Sequence, residues 1–183
     1  MKIVIISDTH GNVKNFKKVI TWLNKENIKM ILHCGDIGSP EDLKESLEDF
    51  DGEFLGVMGN MDREYKNEIE EYQIPPKVKV FKFSGEAKID GDDYLKEKRI
   101  AFTHYPDKAR EFAESGKYDI VFYGHTHKPW EEKVMINPEF IRENKNTCRL
   151  VNPGEVAGQL YKPSFAVYDT EKDLLELKIL ERL

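Results

Sequence analysis

Five short apolar runs are spaced along roughly the first two thirds of the chain. They are rich in Ile, Val and Phe and have the length of β-strands. The runs comprise residues 3–6, 30–34, 53–58, 99–102 and 119–123. If these strands are parallel neighbours, their carboxyl ends meet at one edge of a sheet, where open α/β folds usually bind ligands.

Helical periodicity separates several of these runs. Residues 12–27 place their apolar side chains on one face, with Asn12 positioned to cap the helix. A second helix is predicted to begin at Ser39 as cap with Pro40 in the first turn. A third begins near Pro106 and stops at Gly116.

After Gly124 the pattern changes, because strand-like segments follow one another without helices. These segments are residues 131–136, 147–151, 165–169 and 174–180. They predict a second, mostly antiparallel sheet packed on the first. The expected fold class is therefore α/β, a four-layer α-β-β-α sandwich of two mixed β-sheets flanked by helices. Residues 83–98 and 137–146 are expected to be surface loops rather than a lid or an oligomer contact.

Seven candidate metal ligands follow the five predicted strands. They are Asp8, His10, Asp36, Asn60, His104, His125 and His127. Any one of them could equally be a cap or a hydrogen-bonded surface residue, but five motifs at successive strand ends favour a metal site. Carboxylate, amide and imidazole donors suit Mn²⁺, Fe, Zn²⁺, Ni²⁺ or Co²⁺, and the lack of Cys argues against structural zinc.

Two pairs of donors share a spacing that suits one ion each. Asp8 and His10 are two residues apart, as are His125 and His127. Alternate side chains leave a strand end on the same side. The same rule excludes His33 from the site, because it points away from the face that Cys34 shares with Asp36. We expect Cys34 to be a packing residue.

Composition places further limits on function. The 183 residues carry a net charge of −6, which argues against bulk nucleic-acid binding. With no linker-like stretch, residues 1–183 are expected to form a single domain. The two cysteines are too few for a disulfide framework, which makes a cytoplasmic location the default, and no apolar run is long enough for a membrane span. The protein could form a homo-oligomer, and the sequence does not decide this.

The motif order D-x-H, G-D, G-N, H and G-H-x-H resembles that of the calcineurin-like metallophosphoesterases, especially their small single-domain phosphodiesterases. The likeness continues through residues 152–155 (NPGE) to the C-terminal strands. It implies a phosphodiesterase that uses a hydroxide shared by two divalent metal ions as the nucleophile. Manganese is the first choice, with nickel, iron, zinc, cobalt or magnesium as alternatives.

The resemblance also implies roles for individual residues. One ion would be held by Asp8, His10 and His127, and the other by Asn60, His104 and His125, with Asp36 bridging both. Asp36 and Asp62 are the candidate catalytic residues. Asn12 and Asn152, each in a turn next to a motif, are candidates for substrate binding at the pocket rim.

Two positions depart from the family pattern. Many relatives read G-N-H-D or G-N-H-E, but here Met61 replaces the His that assists the leaving group. Relatives also commonly read H-G-H where this chain has His104, Tyr105 and Pro106, so a phenol on a rigid turn replaces the second pocket His. Met61 favours diesters or activated esters, which depend less on a proton donor. The alternatives are a phosphomonoesterase or nucleotidase on the same fold, or a non-catalytic protein-binding scaffold like the retromer subunit of this fold.

Overall fold

The computed structural model describes residues 1–65, 78–81, 84–89, 98–141 and 145–183. Its strands are β1 (Lys2–Ile6), β2 (Met30–His33), β3 (Glu53–Val57), β4 (Val78–Phe81), β5 (Ser84–Ile89), β6 (Lys98–Thr103), β7 (Ile120–Phe122), β8 (Trp130–Met135), β9 (Thr147–Asn152), β10 (Ser164–Asp169) and β11 (Leu174–Ile179). The α-helices are α1 (Val13–Lys25), α2 (Pro40–Ser46) and α3 (Pro106–Glu114). Short 3₁₀ helices cover Met61–Tyr65, Pro138–Phe140 and Leu180–Arg182.

Two mixed β-sheets form the centre of the fold. The first has the strand order β11-β10-β1-β2-β3-β4, and the second has the order β5-β6-β7-β9-β8. Strands β1 to β4 run parallel, while β10 and β11 are added antiparallel. In the second sheet β6, β7 and β9 are parallel and the outer strands are antiparallel. Both sheets therefore present the carboxyl ends of parallel strands.

Alternation along β1 shows how the layers are built. Ile3 and Ile5 pack between the two sheets, whereas Val4 and Ile6 pack against α1 and α2 on the outer face. This division follows from the alternating direction of side chains in a strand. Helix α3 covers the other outer face through Ala109 and Ala113. The predicted four-layer α-β-β-α sandwich is confirmed.

The helix ends follow the chemistry expected from the sequence. The Asn12 side chain accepts a hydrogen bond from the Asn15 backbone N–H and caps α1. At α2, Ser39 and Asp42 form a capping box that satisfies backbone donors in both directions. Pro40 and Pro106 each occupy the first turn of their helices, where the missing N–H is not needed.

The assignment of the C-terminal strands to a separate sheet is wrong. Strands β8 and β9 belong to the second sheet, but β10 and β11 return to the first and pair beside β1. Strand β10 lies between β1 and β11, and all six of its residues are buried. A strand that is covered on both faces does not show the polar alternation of a solvent-facing antiparallel sheet.

One of the two predicted surface loops needs correction. Strand β5 lies within residues 83–98 and pairs antiparallel with β6, so this segment is not simply a loop. Gly85 stands opposite Phe102, and a Cβ at Gly85 would overlap the Phe102 ring. In residues 137–146 a 3₁₀ turn covers Pro138–Phe140. Residues 83, 90–97 and 142–144 of these segments lie outside the described residues.

None of the helices in the described ranges combines the length and apolar character required to cross a bilayer.

Candidate metal centre

The seven predicted ligands come together at the carboxyl ends of strands from both sheets. Strands β1, β2 and β3 lead to Asp8, His10, Asp36 and Asn60, while β6 and β7 lead to the three remaining His residues. The expectation of a single sheet edge is therefore wrong. The site lies where the ends of two packed sheets meet, and each sheet supplies donors.

The backbone turns sharply at most of these donors. Five of the seven have positive φ angles: Asp8 (51°), His10 (45°), Asp36 (55°), His125 (69°) and His127 (60°). Residues other than Gly rarely adopt this conformation, although Asp and His tolerate it better than most. Such conformations cluster at functional sites, where the surrounding structure holds them in place.

The first donor cluster contains Asp8, His10 and His127. The Nε2 atoms of His10 and His127 are 3.2 Å apart. Nε2 of His127 is 3.4 Å from Oδ1 of Asp8. One donor atom from each residue lies close enough to the other two for all three to bind one ion.

The second cluster contains Asn60, His104 and His125. Oδ1 of Asn60 is 2.9 Å from Nε2 of His104 and 3.0 Å from Nδ1 of His125. The two imidazole nitrogens are themselves 3.2 Å apart. Three donor atoms from three different loops therefore point at one common position.

Asp36 lies between the two clusters. Its Oδ2 atom is 3.8 Å from Nε2 of His10 and 3.5 Å from Nε2 of His104, so one oxygen faces both groups. Its Oδ1 atom accepts a hydrogen bond of 2.8 Å from the Met61 backbone N–H. A Cβ at Gly59 would overlap this carboxylate, which explains why Gly is required beside Asn60. The arrangement suits a bridging ligand.

The hydrogen bonds of the imidazoles indicate which nitrogens carry protons. Nδ1 of His104 lies 2.9 Å from the Cys34 carbonyl and must donate to it. Nδ1 of His127 likewise donates to Glu155 across 3.1 Å. In the neutral rings the Nε2 atoms are then bare acceptors. The lone pair of His104 Nε2 faces an oxygen of Asn60, and that of His127 Nε2 faces an oxygen of Asp8. Two acceptors that face each other are both satisfied when a cation binds between them.

The spacing of the donor atoms supports this interpretation. Two ligands at about 2.1 Å from one ion, in octahedral or tetrahedral coordination, are about 3.0–3.4 Å apart. Five distances between donor atoms within the two clusters run from 2.9 to 3.4 Å. The residues present therefore fit two divalent ions in donor chemistry and in spacing.

The charges at the centre also favour a bound cation. Burial raises the pKa of Asp8 to about 8, and the nearby Asp36 carboxylate acts in the same direction. Burial lowers the pKa of His10 and His104, so these imidazoles remain unprotonated and able to bind metal. Without positive ions, the negative charge of Asp8 would be poorly compensated in this buried position.

Glu155, to which the sequence analysis gave no role, contacts the candidate ligand His127. It is buried, and its oxygens accept hydrogen bonds from the backbone N–H groups of Gln159 (2.8 Å), Leu160 (2.6 Å) and Tyr161 (2.5 Å). Burial acts to raise the pKa of Glu155, but these hydrogen bonds outweigh it and lower the pKa below its usual value. The resulting carboxylate orients His127. Its position in the NPGE sequence was the available signal.

Replacing Glu155 with Gln should weaken metal binding in the first cluster by about 10–100-fold, because carboxylates that orient a ligating His have effects of this size. The charge that holds the Nδ1 proton of His127 is lost, while an oxygen remains for the backbone donors. Calorimetric titration with Mn²⁺ would measure the change. Glu132→Gln is the matched control, since Glu132 pairs with Arg110. Unchanged affinity in the Glu155 variant would contradict this role.

Asp62, the other candidate catalytic residue, lies beside the centre. Asp62 is buried and accepts backbone hydrogen bonds from Ile37 (2.8 Å), Gly38 (3.1 Å) and Gly59 (2.8 Å). Burial raises the pKa of Asp62. These contacts connect the loop carrying Asp36 with the loop carrying Asn60. The catalytic role of Asp62 stays a prediction, and a positioning role is the one that its contacts favour.

The two rim candidates make mainly internal contacts. Nδ2 of Asn12 donates to the Ala157 carbonyl across 3.0 Å, in addition to the capping bond of its Oδ1. Asn152 is buried, and its Nδ2 donates to Gly124 (2.9 Å) and Thr126 (3.0 Å), which braces the loop bearing His125 and His127. Their substrate-binding roles stay predictions.

His33 and Cys34 lie behind the metal centre, as expected. Nδ1 of His33 accepts from the Gly35 backbone N–H (3.1 Å), so its Nε2 donates to the Thr9 hydroxyl (2.9 Å). The Cys34 side chain is buried in the core between the sheets. His33 is thus a hydrogen-bonded strand residue and Cys34 is a packing residue, and both interpretations are confirmed.

Comparison with known proteins agrees with this geometry. Residues 1–173 match the family model for the calcineurin-like phosphoesterase superfamily domain. A phosphodiesterase of Methanocaldococcus jannaschii is 32% identical, over 99% of this chain and 100% of that protein. A probable metallophosphoesterase of Methanothermobacter thermautotrophicus is 27% identical, over 98% of this chain and 92% of that protein.

A solved structure points the same way. An archaeal phosphodiesterase superposes with a TM-score of 0.76 at 30% identity, covering 98% of this chain and 99% of that one. The family model covers nearly the whole sandwich, including all the strand ends that carry the seven donors. By sequence, by fold and by the ligand motifs at its centre, the chain belongs to the calcineurin-like phosphoesterase superfamily.

Proposed function

We propose that this protein is a metal-dependent phosphodiesterase with a dinuclear centre. The observation that carries the proposal is the position of Asp36, whose Oδ2 atom faces His10 and His104 and so joins two separate donor clusters. When bound, two divalent ions would draw charge from the phosphoryl oxygens and lower the pKa of a coordinated water. The kinship with archaeal phosphodiesterases supports the same substrate class.

Individual residues would have separate roles in binding the metal ions and the ester. Asp36 would balance the charge of both ions and keep them at a fixed distance. Glu155 would hold His127 in the tautomer whose Nε2 is free to bind metal. Met61 is 55% exposed beside the centre and carries no transferable proton. The leaving oxygen would therefore depart with little help from a general acid, which favours esters of acidic alcohols.

We propose Mn²⁺ as the first metal to test. Oxygen donors from carboxylate and amide groups, combined with imidazoles, suit Mn²⁺ and also Ni²⁺, Fe, Zn²⁺ or Co²⁺. The cytoplasmic location and the preference for small phosphoesters over bulk nucleic acid stay predictions, as does a homo-oligomer.

Two other functions are alternatives. A phosphomonoesterase or nucleotidase would use the same centre, but it would have to expel a poorer leaving group without a His at position 61. A non-catalytic scaffold would not need bare imidazole nitrogens that face acceptor oxygens. The orientation of His104 and His127 therefore favours an enzyme.

Metal-loaded protein should hydrolyse bis(nitrophenyl) phosphate faster than nitrophenyl phosphate, and chelation should abolish both reactions. The test is metal analysis of the purified protein, followed by kcat/KM for both esters with Mn²⁺, Ni²⁺ and Mg²⁺. Faster hydrolysis of the monoester would favour the phosphomonoesterase. A metal-loaded protein that cleaves no ester, while the chelated protein still binds a cellular partner, would favour the scaffold.

A further inference from the structure

A cationic side chain, that of Arg63, follows the second donor cluster closely in the chain and in space. Arg63 is exposed in the 3₁₀ helix that begins directly after Asn60. Its Nη2 atom donates a hydrogen bond of 3.3 Å to the hydroxyl of Tyr105. Within the described ranges, no carboxylate pairs with this guanidinium.

Three other arginines of the described ranges are paired with carboxylates. Arg99 pairs with Asp119, Arg110 with Glu132, and Arg149 with two acidic residues. Arg63 contacts a neutral phenol instead. As far as the described residues go, its positive charge is available to an anion that arrives from solution.

Tyr105 determines where that charge lies. Its ring centroid is 5.0 Å from that of His104 in an edge-to-face arrangement, and 5.5 Å from that of His125. Pro106, at the start of α3, restricts the backbone that carries the ring. The phenol thus lies against two candidate metal ligands, and its hydroxyl binds Arg63.

Among the described residues, the only hydrogen bond of the guanidinium goes to the Tyr105 hydroxyl, and the ring of Tyr105 packs against His104 and His125. The guanidinium would therefore contact a part of the substrate beyond the reacting phosphoryl group. A guanidinium has five N–H donors, and one of them bonds to Tyr105. The others are suited to a carboxylate or phosphate, which guanidinium groups bind in a bidentate manner.

We propose that Arg63 is a substrate-binding residue and that Tyr105 positions it, so that the site selects phosphodiesters bearing a second anionic group near the reacting phosphorus. This inference rests on the proposed phosphodiesterase function and deepens it by naming the substrate class. Tyr105 acts on the substrate only through Arg63, whereas Arg63 contacts the second anion directly.

The test compares two substrates that differ only in a second phosphate group. Both are thymidine esters with a nitrophenyl phosphate on the 5′ oxygen, and one also carries a phosphate on the 3′ oxygen. Arg63→Ala should raise KM for the ester with the 3′ phosphate by about tenfold or more, the size expected for a lost charge-assisted contact. KM for the singly charged ester and kcat for both should change by less than about twofold.

Three further variants separate charge, geometry and position. Arg63→Lys keeps the charge but loses the planar donors, and Tyr105→Phe keeps the ring but loses the hydroxyl, so both should give intermediate KM values. Arg99→Ala removes the same charge at the start of β6, at the other end of the strand from His104, and should leave the KM ratio unchanged. Competitive inhibition by thymidine bisphosphate should weaken in parallel with Arg63→Ala.

The outcomes are distinguishable. If the metal-loaded wild type cleaves neither ester, the proposed function fails. If the wild type is active but Arg63→Ala changes KM equally for the two esters, or no more than Arg99→Ala does, the inference fails alone. An unchanged KM ratio in Tyr105→Phe would remove the positioning role from Tyr105.

Discussion

Replacing Asp36 with Asn should nearly eliminate ester hydrolysis and weaken both metal sites at once. One oxygen, Oδ2, faces both donor clusters, and the substitution removes its negative charge while preserving the shape of the side chain. The remaining carbonyl oxygen can still accept the Met61 backbone N–H. We expect kcat/KM to fall by more than the ~10–100-fold typical of losing a group that only orients a ligand.

Metal stoichiometry provides the decisive measurement. Wild-type protein equilibrated with Mn²⁺ and desalted should retain two ions, whereas the Asp36→Asn variant should retain fewer and bind the first more weakly. Asp51→Asn is a suitable control, because Asp51 is exposed just before β3, at the end opposite Asn60, and pairs with Lys29. Near wild-type turnover in Asp36→Asn would show that this residue does not bridge the ions.

Local sequence signals were sufficient for most individual elements. The apolar run before Asp8 became β1, the periodic pattern behind Asn12 became α1, and Ser39 with Pro40 began α2. These features depend on side-chain periodicity and on hydrogen bonds between residues three or four apart. Such interactions are encoded in neighbouring residues, so they can be recognised without knowing the rest of the fold.

Sheet membership depends on contacts between distant residues and was harder to predict. Strand β10 pairs with β1 across more than 160 positions, with Lys2 opposite Asp169. Nothing in the local pattern of β10 distinguishes the first sheet from the second. Strand β5 was missed because Gly85 has low strand propensity, and its place is set by the Phe102 ring opposite it.

The ligand motifs identified the donors but not how the chain holds them. The positive φ angles of Asp8 and Asp36, and the hydrogen bond from His127 to Glu155, appear only when both sheets are assembled. Arg63 showed no signal of its own, because its significance comes from Tyr105, 42 positions later. The spacing of the motifs therefore predicts which residues come together in the site. The tautomers of the His residues and the charges around them can be determined only from the structure.

Replacing Met61 with His should increase hydrolysis of alkyl esters and monoesters more than that of a nitrophenyl diester. Met61 follows the candidate ligand Asn60, and its side chain is exposed beside the centre, so an imidazole there could protonate a leaving oxygen. A nitrophenolate leaves readily without a proton, whereas an alkoxide does not. The gain should be smaller than the ~10²–10⁴-fold credited to general acid catalysis.

The contacts of Asp62 explain the smaller gain. A catalytic His usually needs a partner that orients its ring, and Asp62 is the acidic neighbour that could serve. Its two oxygens already accept backbone hydrogen bonds from Ile37, Gly38 and Gly59, and the side chain is buried. A new imidazole at position 61 would therefore be held loosely, and loosely held catalytic groups lose much of their effect.

Two controls separate proton donation from a change of shape or surface charge. Met61→Leu replaces the side chain without adding a titratable group, and Met135→His adds an imidazole on β8, where Met135 is also exposed. The measurement is kcat/KM for an alkyl and a nitrophenyl ester at saturating Mn²⁺. A selective gain in Met61→His alone would place the missing proton donor at this position. Equal changes for both esters, or a loss for the alkyl ester alone, would direct attention instead to Asp62 or a coordinated water.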